Sequence, residues 1–228
     1  MESTADEKGK PAAEMTLKRP GERPYKGNWR LEMRSETSHN THSAWRRVGG
    51  ATAVFGGLIW ATFHLWLIQS GRLDSPMSIG NSLSILIVPL LAFMLASYAL
   101  SCPSGSGRGG LLLVIGGMGL MVLGITGVSL LQIGAAWLVG ILGELVTSIG
   151  LGWFAFANLG DKRLPAFNGL PLVMLLLYVP SWMVDPGNLP GLFPAHFTEW
   201  LAAVYGLNWV VLGGLLLLPG TAKAIREG

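Results

Sequence analysis

From residue 48 onward, apolar residues do not alternate with polar ones. They come in unbroken blocks, at 48–68, 79–100, 109–131, 135–158, 167–184 and 200–218. Each block is close to the ~20 residues an α-helix needs to cross a hydrocarbon core about 30 Å thick. The pattern predicts an all-α fold, a polytopic membrane helix bundle with six transmembrane helices. Only Gln132, Ile133 and Gly134 separate the third block from the fourth. Read as one helix, residues 109–159 would be roughly 76 Å long at 1.5 Å per residue, so a helical hairpin turning at 132–134 is expected. Pro89 removes a backbone donor and should kink the second span; Pro171 and Pro180 stand towards opposite ends of the fifth.

What precedes the first block has a different texture. Residues 1–43 hold eight basic and seven acidic side chains, three prolines (Pro11, Pro20, Pro24) and no apolar period. Such a segment has too little apolar surface to offset the entropy of ordering and is expected to be disordered. It does not read as a signal peptide, because the polar stretch is too long and no small-residue cleavage site follows the apolar run. The domain organisation predicted is a disordered tail at 1–43, a transmembrane domain at 44–220 and a short second tail at 221–228.

Charge fixes the orientation expected. Of the 29 charged residues, 17 lie at or before Arg47, which leaves 12 for the following 181 residues. With the N-terminus in the cytoplasm, the inner ends and loops hold Arg46, Arg47, Arg108, Lys162, Arg163, Lys223 and Arg226, whereas the outer loops hold only Arg72. That bias satisfies the positive-inside rule and would be inverted by turning the protein over. Both termini are therefore expected inside, in a multi-pass membrane protein. Overall, 13% charged residues against about 25% in soluble domains, 50% hydrophobic residues and a mean hydropathy of +0.48 exclude an ordinary soluble domain. The pI of 9.2 follows from topology and the tail, and no basic patch points to nucleic acid.

The inner loop and helix start at 159–170 (LGDKRLPAFNGL) resemble a pattern common in multi-span bacterial membrane proteins of no assigned activity. In that pattern a helix ends in small and basic residues, and Leu-Pro, an aromatic and Gly open the next span. Arg163, Leu164, Pro165, Phe167 and Gly169 are the matching residues. The resemblance implies an inside loop and a bacterial origin, and carries no activity with it.

Candidate chemistry is sparse. Cys102 is the only cysteine, which leaves no disulfide framework, no CxxC and no cysteine metal cage. There is no P-loop, no nucleophile elbow and no HExxH, so no catalytic or metal-binding residue and no cofactor is assigned. One residue breaks the apolar pattern: Glu144 is the sole charge in 132–159. A charged glutamate near mid-membrane costs ~2.5–3.5 kcal/mol on insertion scales, and such residues usually face the bundle interior or a wet cavity. Ala136, Gly140, Ser148 and Gly152 flank it at four-residue steps, the kind of small-residue row against which another helix packs closely.

His64 extends a similar row in the first span (Gly50, Ala53, Gly57, Ala61), at a depth within ~5–6 Å of Glu144 by helical rise. Asn208 has a similar depth in the sixth. Asn81, Gln132, Asp185, His196 and Glu199 add polar groups in the outer half or at the outer rim. The inner half offers chiefly Tyr98, Thr147, Ser148 and Asn158. This asymmetry predicts a polar pocket open to the outside, built on Glu144, His64 and Asn208. The outer loop 185–196 carries three prolines and apolar residues and reads as an interfacial lid, with Trp182 and Trp200 as interfacial anchors.

Three functional readings follow. The first is binding or movement of a small ligand, ion or proton through that pocket. The second is a structural or accessory subunit of a membrane complex, in which a protonated Glu144 is only an interhelical hydrogen-bond donor. The third is a membrane enzyme or redox subunit with His64 and His196 as haem or metal ligands; it lacks paired ligands at known spacings. The partners expected are the lipid bilayer, other membrane subunits and a small ligand or proton.

Overall fold

In hydrocarbon no water can satisfy a free amide, so apolar blocks of this length become helices whose backbone bonds close within the segment. The computed structural model describes residues 28–70, 83–101, 107–161, 168–183, 194 and 196–218, with side chains from Ala44 onward except that of Asp161. The described residues contain helices and no strand. They form α1 (Asn28–Ser70), a 3-10 turn (Ser84–Leu86) leading into α2 (Ile87–Ser101), α3 (Arg108–Ser129), α4 (Ala136–Asp161), α5 (Leu170–Met183) and α6 (Phe197–Leu217). The chain divides into two units, Met1–His39 and Asn40–Gly228, and the apolar helices lie in the second.

Among the described residues five stretches are long and apolar enough to cross a membrane: Ala44–Ser70, Ser84–Ser101, Arg108–Ser129, Ala136–Gly160 and Phe197–Leu217. Within the expected span at 167–184, the helix among the described residues covers the 14 residues of α5. At 1.5 Å per residue that is ~21 Å, short of the ~30 Å hydrocarbon core. Asn168 and Gly169 form a turn ahead of it, and Pro171 and Pro180 stand within it. Two further differences from the sequence reading concern the ends of helices. Helix α1 begins at Asn28, inside the stretch expected to be disordered; residues 28–48 contain neither proline nor glycine, so nothing breaks the helix once it has nucleated. The irregularity expected at Pro89 takes the form of the 3-10 turn just before it, whose tighter winding brings the chain into α2 with the proline in its first turn. Residues 1–27, the loop with Arg72 and Asn81, Cys102, Lys162 and Arg163, the 185–193 part of the expected lid and the 221–228 tail lie outside the described residues.

The hairpin between α3 and α4 turns at the residues expected. Gln132 takes a left-handed backbone (φ 57°), and its side-chain Nε2 donates to the Ser129 carbonyl at 3.1 Å, closing the end of α3. The two helices then run antiparallel with glycines meeting across the seam: Gly110 opposite Gly150, Gly117 opposite Gly143, Gly124 opposite Gly140. A Cβ added at Gly117 would lie 2.7 Å from the Gly143 carbonyl oxygen, so the two backbones touch. A second seam of this kind joins α1 to α6, where Gly50 meets Gly213 and Gly57 meets Gly206.

Within both seams the glycines recur mostly seven residues apart, two helical turns, which keeps them on one face with a slow left-handed drift. Successive helices pack on each other from α2 to α6, and α1 fits between α2, through Gly49 and Gly56, and α6. The six helices thereby form a ring in chain order. Aromatic residues fill its centre, where Phe93 stacks on Trp209 (centroids 4.5 Å apart, 17° between planes) and Tyr205 sits 5.0 Å from Tyr178. Leu138, Leu142, Leu145, Ile149 and Phe156 of α4 point outward and are exposed, as a lipid-facing stripe requires.

Candidate functional site

At one end of the ring the helices do not close. A cavity of about 130 Å³ opens among Trp60 and His64 of α1, Leu83 and Leu86 at the entry to α2, Met121 and Ile125 of α3, Trp137, Gly140 and Glu144 of α4, Tyr178, Ser181 and Trp182 of α5, and Ala202 of α6. Every helix of the ring contributes. The residues come from the ends of α1, α3 and α5 and from the starts of α2, α4 and α6, as an up-and-down bundle requires if they share one end. Within each helix they stand three or four residues apart, which places them on one face: Trp60 with His64, Met121 with Ile125, Trp137 with Gly140 and Glu144, Tyr178 with Trp182.

The sequence reading puts Glu144 on the row Ala136, Gly140, Ser148, Gly152. The face of α4 that meets α3 is instead Ala136, Gly140, Gly143, Thr147 and Gly150, while Gly152 faces Leu175 of α5. A row stepped by four residues drifts about 40° per step on a helix of 3.6 residues per turn, so it wraps away from a single neighbour. Glu144 lies between the two contacts and borders the cavity. Its side chain makes no hydrogen bond or ion pair among the described residues; its backbone carbonyl accepts from Ser148 Oγ at 2.8 Å. The Tyr178 hydroxyl, which borders the same cavity, donates to Met121 Sδ at 3.3 Å, while Ser181 Oγ donates to the Tyr178 carbonyl at 2.6 Å.

His64 faces the same cavity from the opposite seam. Its ring lies 5.2 Å from Trp60 and 5.5 Å from Phe63. Both imidazole nitrogens are buried without a hydrogen-bond partner among the described residues, and so are Nε1 of Trp60 and Nε1 of Trp182. An unmade hydrogen bond at a buried polar group costs ~1–3 kcal/mol. Three residues that carry such groups, from two helices, border the one cavity.

The other expected residues are not brought here. Asn208 does not border the cavity: it is six residues further along α6 than Ala202, and its Nδ2 donates to the Val204 carbonyl of its own helix at 2.9 Å. Gln132 is spent on the hairpin, Glu199 accepts from Thr198 Oγ1 at 3.0 Å, and His196 opens α6 in a left-handed conformation (φ 60°). Asn81 and Asp185 lie outside the described residues. Thr147 is buried against Met121, and Asn158 Nδ2 donates to the Asn168 carbonyl at 2.9 Å, at the far end of the bundle. Among the described residues no group of three or more His, Cys, Asp or Glu side chains gathers as metal ligands would.

The residues sequence reasoning missed are aromatic: Trp60, Trp137, Tyr178 and Trp182. Trp182, expected as an interfacial anchor, is a wall of the cavity, whereas Trp200 is exposed. The signal available was the i, i+4 pairing of Trp60 with His64 and of Tyr178 with Trp182. No known protein family, curated protein or solved structure matches the chain.

Proposed function

We propose that the protein binds a small ligand or ion in this cavity, with Glu144 as the charged contact and His64 as its partner across the space. The observation that supports the reading best is one cavity bordered by residues of, or next to, all six helices, with Glu144 as the carboxylate among its described walls and three residues with unpartnered buried nitrogens. In this reading the protein crosses a bacterial cytoplasmic membrane six times with both termini inside, by the charge bias of its loops. Helix α5 is then the short crossing. It starts beside the C-terminal end of α4, through Asn158 and Asn168, and ends beside the starts of α4 and α6 at the cavity. The cavity end is then the outer end.

A ligand that binds only the folded state raises its stability by RT ln(1 + [L]/Kd), about 2.7 kcal/mol at a hundredfold excess over Kd. The test is thermal unfolding of the protein in nanodiscs against a panel of small ions and organic solutes, with Glu144→Gln and His64→Ala beside the unaltered chain. At least one solute should raise the midpoint of the unaltered protein and leave that of Glu144→Gln unmoved. If no solute shifts it, the accessory-subunit reading replaces this one.

A further inference from the structure

We infer that the occupant of the cavity is a small organic monocation, a protonated amine or a quaternary ammonium of about the bulk of a benzene ring or less. The inference rests on the cavity being a ligand site and adds the class of ligand. Size comes first: at about 130 Å³ the space is slightly smaller than the ~150 Å³ protein cavity known to take up benzene. Charge comes second. Among the described residues Glu144 is the only charged side chain bordering the cavity, and none of their cations pairs with it. In the low-dielectric interior of a bilayer an isolated charge is costly, and a monocation makes the pair neutral, whereas an anion would double the negative charge and a zwitterion would leave it uncompensated.

Wall chemistry comes third. Trp60, Trp137, Trp182 and Tyr178 surround the space from three helices, and the negative face of an aromatic ring attracts a cation within about 6 Å, most strongly for tryptophan and when water is excluded. A metal ion would need several oxygen or nitrogen ligands around it. Beside one carboxylate and one imidazole the described walls offer only the hydroxyls of Tyr178 and Ser181, which are engaged with Met121 Sδ and the Tyr178 carbonyl.

The experiment is calorimetric titration of the full chain in nanodiscs with tetramethylammonium chloride, tert-butanol as a neutral molecule of similar size, sodium chloride and sodium acetate. Tetramethylammonium should bind at least about tenfold more tightly than tert-butanol or sodium. Glu144→Gln should weaken tetramethylammonium by about tenfold or more and leave tert-butanol unchanged. Trp137→Leu, which keeps the carboxylate, should weaken the cation selectively as well, and the thermal midpoint of each variant reports whether it is folded. Equal binding of tert-butanol, undiminished cation binding in both variants, or tighter binding of acetate would overturn the cation while leaving a ligand site. No binding of any probe would remove the cation, and the ligand site would then stand or fall by the wider solute panel.

Discussion

The seam between α3 and α4 and the cavity beside it share those two helices, and they differ in the size of the side chains that meet. Along the seam glycine faces glycine, so the backbones touch and dispersion is collected over a long contact. At the cavity, tryptophan, tyrosine and histidine rings border one space from three helices, α1, α4 and α5. Rigid planar rings hold helices apart and cannot deform to fill what they leave. The comparison teaches that one bundle uses small residues to close itself and large ones to stay open, and Gly140 stands where the two regimes meet.

The strongest way to break the comparison is to remove a ring that props the centre. Phe93→Ala deletes a fully buried ring stacked on Trp209 and should cost on the order of 3–5 kcal/mol, read as a loss of folded fraction in denaturant titration of the detergent-solubilised protein. A seam glycine should respond in the opposite chemical direction, to gain of atoms. Gly117→Ala should cost about 1–3 kcal/mol through overpacking, whereas Gly116→Ala, one residue along and with open space around the added methyl, should be neutral or slightly stabilising. Equal effects at 116 and 117 would refute the seam.

Smaller effects sharpen the cavity side. Tyr178→Phe removes the hydroxyl that donates to Met121 Sδ and should cost about 0.5–1.5 kcal/mol in the same titration, leaving the helices in place. Asn208→Leu should change stability by no more than about 0.5 kcal/mol, because the amide bonds only its own helix, and should leave ligand binding untouched, in contrast to Glu144→Gln.

Much of this was legible in the sequence because a bilayer leaves few options. Apolar block length gives helices, and the three-residue gap at 132–134 can only be a hairpin. His64 and Glu144 were legible too, since polar residues in such blocks must turn inward. Asn208 was misjudged because an asparagine can satisfy itself on the carbonyl four residues earlier, and depth alone does not reveal that. The α4 contact face was misplaced by counting in fours on a helix of 3.6. The aromatic walls were passed over because tryptophan near a helix end has two uses, anchoring at the interface and lining a site. Only the arrangement of all six helices separates Trp182 from Trp200.

The most direct measurement of the central claim is cross-linking of cysteine pairs in a Cys102→Ser background with a short bifunctional methanethiosulfonate. The pair His64→Cys with Glu144→Cys should cross-link within one monomer at high yield, because both positions face one cavity, and Glu144→Cys with Asn208→Cys should not. Cross-linking of the second pair in place of the first would contradict the cavity as described.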